Sequence, residues 1–225
     1  SLNIDGSGGG ISAGSSTVIS NNIIKGNRAL TGGGVGGGGT MSDNVISENH
    51  ARDGGGYYGY GTISNNFFLN NSASDNAGGV LITQKSDMTG NIISGNTAAE
   101  GGALYYYKGG ESGSSDVSNN TIFKNTGSPV VYIYAPSSLE MKNNTIVGNS
   151  GSPTVSMLGS NNVFSQNSIY GNSGPYEFAT RVALGTDLTV ENNYWGTSDA
   201  SVIAAKVYDW NDDSSLGFVD YTPFE

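Results

Sequence analysis

A six-residue motif, Asn-x-apolar-x-x-Asn, constrains this chain more than any other feature. It recurs seven times, at residues 22–27, 44–49, 66–71, 91–96, 120–125, 144–149 and 167–172, and a degenerate eighth copy begins at Asn193. The first asparagines of successive copies are 22, 22, 25, 29, 24, 23 and 26 residues apart. A period of this length, kept over most of a chain, indicates a repeat architecture in which each copy is one structural unit.

Alignment on the first asparagine reveals two apolar columns. The column three residues before it contains Ile19, Met41, Ile63, Met88, Val117, Met141, Phe164 and Val190. The column two residues after it contains Ile24, Ile46, Phe68, Ile93, Ile122, Ile146, Ile169 and Trp195. The two positions are five residues apart, which is incompatible with one continuous strand, so a bend between two short strands is expected at the asparagine.

A third short strand follows each motif after a glycine-rich turn, as in Gly79-Val80 and Gly102-Ala103-Leu104. Three strands and three turns per repeat are typical of a coil of a β-solenoid, in which successive coils pair in parallel about 4.8 Å apart. The sequence therefore predicts an all-β, single-stranded right-handed parallel β-helix of about eight coils. We expect the coils to cover residues 1–197 and a C-terminal cap to cover residues 198–225, within one domain.

The motif asparagines are predicted to stack in two ladders. A turn that recurs at the same place in every coil brings identical amides together, and each amide can both donate and accept hydrogen bonds. The predicted ladder residues are Asn22, Asn44, Asn66, Asn91, Asn120, Asn144 and Asn167, and Asn27, Asn49, Asn71, Asn96, Asn125, Asn149 and Asn172.

The composition limits the functions that such a rod can have. Glycine accounts for 36 of 225 residues, only 12% of residues are charged, and the formal net charge is -10. Nucleic acid is not an expected partner, because phosphate binding depends on lysine and arginine, of which there are nine. Cysteine is absent, and no apolar run is long enough for a membrane span. We expect an extracellular or cell-surface location.

Several segments resemble known β-helix proteins. Residues 68–71 (Phe-Leu-Asn-Asn) and 101–104 (Gly-Gly-Ala-Leu) resemble the FxxN and GGA(I/L) repeats of bacterial polymorphic outer-membrane proteins and related adhesins. The chain as a whole resembles the right-handed parallel β-helix group that includes pectate-lyase-like folds. This resemblance implies the fold and leaves two functional hypotheses: a structural or adhesive surface module, and a polysaccharide lyase or glycoside hydrolase.

Three carboxylates occupy one predicted outer column, four residues before the ladder asparagine. They are Asp87, Asp116 and Glu140, on consecutive coils, with Lys85 and Lys142 nearby in sequence. Like charges this close together repel one another unless a cation compensates, so the column is a candidate Ca²⁺ site or, in an enzyme, a candidate catalytic site. A solvated charged face is the third interpretation. No arginine falls in the column to act as a lyase base, so we favour a non-enzymatic function.

Tyrosines cluster in the third strand of three coils, and another acidic group precedes the adjacent turns. The candidate ligand-binding residues are Tyr57, Tyr58, Tyr105, Tyr107, Tyr132 and Tyr134. Aromatic rings on a rigid rod can hold a polysaccharide or another cell-surface ligand, although alternate tyrosines of a strand must point into the core. The second acidic group is Asp53, Asp75 and Glu100, with His50 and Arg52 close to it in sequence.

The N-terminal coil has no covering segment comparable to the C-terminal cap. An uncovered coil exposes strand backbone that can pair with another chain. We therefore expect either further coils upstream or head-to-tail stacking of copies into a homo-oligomer or filament.

Overall fold

The fold is an all-β parallel β-helix, seen in a computed structural model. The structure describes residues 2–107, 113–135, 138–159 and 161–225, with side chains from residue 6 onward. The repeat between Asn91 and Asn120 is the longest, and residues 108–112 of it lie outside the described residues. All pairs between the strands are parallel, as expected when each strand pairs with its equivalent one coil away.

Four parallel sheets run along the rod. Sheet A consists of β1 (Leu2–Ser7), β5 (Arg28–Thr31), β9 (His50–Ala51) and β13 (Ser72–Ala73). Sheet B consists of β2 (Ile11–Ala13), β6 (Val35–Gly37), β10 (Tyr57–Gly59), β14 (Val80–Ile82), β17 (Leu104–Tyr107), β20 (Val131–Tyr134), β23 (Val155–Leu158), β26 (Phe178–Thr180) and β28 (Val207–Tyr208).

Sheet C consists of β3 (Val18–Ser20), β7 (Thr40–Ser42), β11 (Thr62–Ser64), β15 (Asp87–Thr89), β18 (Ser115–Ser118), β21 (Leu139–Lys142) and β24 (Val163–Ser165). Sheet D consists of β4 (Ile23–Lys25), β8 (Val45–Ser47), β12 (Phe67–Leu69), β16 (Ile92–Ser94), β19 (Thr121–Phe123), β22 (Thr145–Val147) and β25 (Ser168–Tyr170). The remaining elements are β27 (Leu188–Thr189), which pairs with β29 (Val219–Asp220), and the helix α1 (Ala200–Ala204).

The register confirms both apolar columns. In sheet C, Ile19 pairs with Met41, and Met88 pairs with Val117. In sheet D, the position two residues after the asparagine is matched from coil to coil from Ile24 to Ile169, and the residues of both columns are buried. The stacked columns form the core of the rod, so removal of apolar side chains from water is the main driving force for winding.

The bends lie where the repeat predicts them. The residue before the first asparagine of a motif has a left-handed backbone, with φ of 57° at Asn21, 54° at Asn65 and 68° at Gly90. The residue before the second asparagine also has a left-handed backbone, as at Asn70 (φ 53°) and Gly95 (φ 69°). Asparagine and glycine tolerate this conformation better than other residues, which explains why they recur at the corners.

Two continuous asparagine ladders run through the rod. In the first, the Asn44 backbone N–H and its Nδ2 both donate to Oδ1 of Asn66, at 3.0 and 2.9 Å, and the same pattern continues coil by coil to Asn193. In the second ladder, Nδ2 of Asn96 donates to Oδ1 of Asn125 and also to the Phe68 carbonyl of the preceding coil, both at 2.9 Å. A single amide thus links three coils.

The structure differs from the sequence prediction in three places. Sheet A is an additional short sheet in the first coils, formed by residues that follow the second asparagine. Sheets C and D contain seven strands each, so the rod has about seven turns, and the eighth copy contributes ladder and core residues without strands in those sheets. The spacing of Val202, Ile203 and Val207 predicts a short helix over residues 200–209, but the helix ends at Ala204, because Val207–Tyr208 instead pairs with β26 in sheet B.

Among the described residues, no helix has the length and hydropathy needed to cross a membrane.

Candidate functional site

Five of the six candidate tyrosines lie together on the outer face of sheet B. Tyr58, Leu81, Tyr105 and Tyr132 are matched in register on four consecutive strands, β10, β14, β17 and β20. Tyr107 and Tyr134 form a second matched pair, two residues further along β17 and β20. We call Tyr58, Tyr105, Tyr107, Tyr132 and Tyr134 the tyrosine face. From Tyr58 to Tyr132 it spans three coil steps, about 14 Å.

Neighbouring rings on the tyrosine face contact one another. The ring centroids of Tyr105 and Tyr132 are 4.8 Å apart at an interplanar angle of 66°. Those of Tyr107 and Tyr134 are 5.2 Å apart and nearly parallel, at 16°. Burial, together with the nearby Tyr132 and Glu100, raises the pKa of the Tyr105 phenol to about 12. The hydroxyl of Tyr105 therefore remains a hydrogen-bond donor at any physiological pH.

Tyr57 is not part of this face, and its assignment as a ligand-binding residue was wrong. Its side chain is only 1% exposed and points into the core, and its hydroxyl donates to the carbonyls of Gly37 (2.9 Å) and Tyr60 (2.8 Å). Side chains alternate between the two faces of a strand, so if Tyr58 points outward its neighbour must point inward. Burial accordingly raises the pKa of Tyr57.

A shallow depression of about 260 Å³ lies at the N-terminal end of the tyrosine face. Its walls are Tyr58, Tyr105 and Tyr107 together with Asp53, Asn76, Leu81 and Thr83. Asp53 is largely buried and accepts hydrogen bonds from Asn76 Nδ2 (2.9 Å) and Arg52 Nε (2.7 Å). Both carboxylate oxygens of Asp53 are thus held in place, which fixes the polar wall of the depression.

A larger groove of about 500 Å³ lies towards the C-terminal end of sheet B. Tyr176 and Tyr208, whose ring centroids are 5.0 Å apart, line this groove, and so does Arg181. The Arg181 guanidinium lies 5.3 Å from the centroid of the Tyr132 ring, and its Nε donates to Ser156 Oγ at 2.9 Å. Arg181 therefore joins this C-terminal groove to the tyrosine face.

The three candidate carboxylates stack in sheet C as the repeat predicts. Asp116 pairs with Glu140 in register and Asp87 lies on the adjacent strand, where its Oδ1 accepts a hydrogen bond from the Asp116 backbone N–H at 3.0 Å. Lys142 Nζ lies 2.6 Å from Glu140 Oε2. This ion pair places one of the two candidate lysines against the acidic column.

The three carboxylates are stacked but not drawn together into a cluster. Within the described residues, no group of three His, Cys, Asp or Glu side chains is close enough together to hold a metal ion. The column also lies in sheet C, whereas the tyrosines and both depressions belong to sheet B. The column is therefore separate from the tyrosine face, and Asp116 Oδ1 is buried without a hydrogen-bond partner among the described residues.

Sequence reasoning missed several residues of the site, for different reasons. Leu81 could have been found, because it occupies the position of Tyr58 one coil later. Arg181, Tyr176 and Tyr208 carried no signal, since they follow the last full motif, where the repeat no longer sets the register.

Together, these features define a right-handed β-helix with a partly exposed aromatic face on one sheet. The family model described as "Right handed beta helix region" matches residues 1–131 and 111–204, and the chain belongs to this family. No curated protein and no solved structure matches the chain. The family establishes the fold, and the chemistry of the surface has to be argued from the residues themselves.

Proposed function

We propose that this chain is an extracellular or cell-surface β-helix module that binds polysaccharide through its tyrosine face. The supporting observation is the side-by-side arrangement of Tyr58, Tyr105, Tyr107, Tyr132 and Tyr134 on adjacent strands. Tyrosine offers an apolar ring for the C–H faces of sugars and a hydroxyl for hydrogen bonding, and it loses little conformational entropy on binding.

The geometry supports an extended ligand over a compact one. Strand backbones fix the spacing of the rings along the rod, and the Tyr105–Tyr132 and Tyr107–Tyr134 contacts limit ring movement. Depressions lie at both ends of the face, one lined by Asp53 and Asn76 and the other by Arg181 and Tyr208. A polymer lying along the rod would contact both depressions at once, and fixed aromatic platforms reduce the entropy lost on binding.

Replacing Tyr105 or Tyr132 by alanine is expected to weaken binding at least about tenfold, because each ring supplies central contact area and supports the other ring. The measurement is an apparent Kd for the best ligand found on a broad array of immobilised polysaccharides. Tyr170→Ala is the matched control: Tyr170 also forms an edge-on aromatic pair, with Tyr194 (5.5 Å), but it lies on sheet D.

Unchanged affinity in both Tyr105→Ala and Tyr132→Ala would contradict this proposal, as would an absence of binding to every polysaccharide. Release of unsaturated or reducing ends from a bound polysaccharide would instead indicate catalysis. Such activity would have to disappear in Asp116→Ala to implicate the carboxylates of sheet C.

A further inference from the structure

Three nitrogen-bearing side chains meet on the outer face of sheet A. Arg28 of β5 pairs in register with His50 of β9, and Arg52 lies two residues beyond His50 on the same face. Together with Leu30 and Ser74 they line a depression of about 200 Å³. We call this depression the Arg28–His50 site.

Arg28 is a cation without a carboxylate partner among the described residues, whereas Arg52 is paired with Asp53 at 2.7 Å. The surrounding part of the chain is also unusual in charge. Residues 1–52 contain three Lys/Arg and three Asp/Glu, so the whole net charge of -10 falls in residues 53–225. Residues 1–52 are thus neutral overall, and the opposing charges near the site are those of Asp53, which pairs with Arg52, and Asp75.

His50 is oriented so that one ring nitrogen remains available. Its Nδ1 lies 3.0 Å from Ser72 Oγ, one coil further on, and Nε2 has no hydrogen-bond partner among the described residues. Partial burial and the charge of Arg28 both lower the pKa of His50. The imidazole is thus predominantly neutral at pH 7 and gains its proton only in more acidic solution.

We propose that the Arg28–His50 site binds a tetrahedral oxyanion, a sulfate or phosphate group, between the Arg28 guanidinium and the Nε2 atom of His50. A guanidinium presents paired N–H donors that match two oxygens of such a group. The Arg52 guanidinium supplies a second fork, since its pairing with Asp53 uses Nε. Arg28 and His50 lie on sheet A, outside the tyrosine face, and Arg52 connects the two sites through its ion pair with Asp53. The anion proposal does not depend on the proposed polysaccharide binding.

Anion binding at this site is expected to strengthen as the pH falls, because protonation of His50 adds a positive charge and a second N–H donor. The neighbouring titratable groups are Arg28 on β5, Arg52 and Asp53 after β9, and Asp75 after β13. Asp5 lies on β1, and Tyr58 lies across the corner in sheet B, close enough to Arg52 to affect its pKa. Asp53 and Asp75 carry the opposing charges, and Asp53 is held by Arg52 and Asn76.

His50 is the only histidine of the chain, so its ring protons give one assignable NMR signal. A pH titration of that signal in sodium sulfate and in sodium chloride at equal ionic strength tests the site. We expect sulfate to raise the pKa of His50, since a bound anion favours the imidazolium. Sulfate should also bind at least about threefold tighter at pH 4.5 than at pH 8.

The Arg28→Gln variant should lose the sulfate effect, and its His50 pKa in chloride should be higher than that of the unchanged protein. Arg28→Lys keeps the charge but not the fork and should bind more weakly.

Lys124→Gln is the matched control, because Lys124 carries the same charge but lies beside the Phe123 ring on the sheet D side. It should leave the sulfate response unchanged. The same titration is repeated with inorganic phosphate, with a sulfated oligosaccharide and with its desulfated form. The comparison shows whether the site prefers a free oxyanion or one attached to a glycan. The proposal is overturned if sulfate and chloride have equal effects, if acetate binds as well as sulfate, or if Arg28→Gln retains the response.

Discussion

An Asn96→Ala variant should lose about 3–5 kcal/mol of its free energy of unfolding, because Asn96 links three coils in the middle of the second ladder. Its Oδ1 accepts hydrogen bonds from the Asn71 backbone N–H (2.8 Å) and from Asn71 Nδ2 (3.1 Å). Its Nδ2 donates to the Phe68 carbonyl at 2.9 Å. Alanine would remove these partners from the Asn71 backbone N–H, from one of the two Nδ2 hydrogens of Asn71 and from the Phe68 carbonyl, and each unpaired buried group costs roughly 1–3 kcal/mol.

The loss is measured by urea unfolding followed by circular dichroism, with hydrogen exchange to locate the weakened coils. Asn161→Ala is the control, because Asn161 is exposed and its side chain makes no hydrogen bond with the described residues. A decrease below about 1 kcal/mol for Asn96→Ala, equal to that of the control, would show that the ladder amides contribute no more than exposed asparagines.

The sequence alone was sufficient to predict the parts of the structure that recur in every repeat. Each coil places the same side chains at the same height, so one alignment on the motif yields the core columns, the corners and the ladder together. The pairing of Met88 with Val117 shows how strong this constraint is, because 29 residues separate them in place of the 22 to 26 of the other repeats. The register between β15 and β18 is intact despite the longer repeat.

Side-chain orientation outside the motif was harder to predict. Tyr57 and Tyr58 are neighbours with the same side chain, and only the register of β10 determines which one points outward. The corner between the motif and the third strand varies in length, so the sequence could not fix that register in advance. For the same reason, sheet A and its cluster of Arg28, His50 and Arg52 were not predicted, although their residue types were visible.

The charged column shows a different limit of sequence reasoning. The stacking of Asp87, Asp116 and Glu140 followed from the period, but their chemistry depends on which donors reach them. The Asp116 backbone N–H and Lys142 Nζ compensate the carboxylates of Asp87 and Glu140, whereas Asp116 Oδ1 is buried without a hydrogen-bond partner among the described residues. A column of carboxylates in a solenoid therefore indicates a metal or catalytic site only when the neighbouring donors are known.

The end of the second ladder lies where the repeat fails, and a carboxylate replaces the next asparagine there. The eighth motif has Ser198 at the second asparagine position, and Glu177 takes over the role of acceptor in space. Glu177 is 1% exposed and accepts hydrogen bonds from Asn172 Nδ2 (2.7 Å) and Thr154 Oγ1 (3.1 Å). Lys206 Nζ lies 3.5 Å from its other oxygen. The Glu177 carboxylate is thus the last acceptor of the second ladder, and its ion pair with Lys206 connects the ladder to the C-terminal segment.

Replacing Glu177 by alanine is expected to lower the free energy of unfolding by about 2–4 kcal/mol, because it removes one acceptor of the half-buried Asn172 amide and the acceptor of the buried Thr154 hydroxyl. Glu177→Gln keeps one acceptor oxygen but removes the charge facing Lys206, so its loss should be clearly smaller. Glu140→Ala is the matched control, since it removes a carboxylate that pairs with a lysine on the surface, and we expect little change from it. Equal losses in Glu177→Ala and Glu140→Ala would mean that closure of the ladder contributes nothing beyond an ordinary surface ion pair.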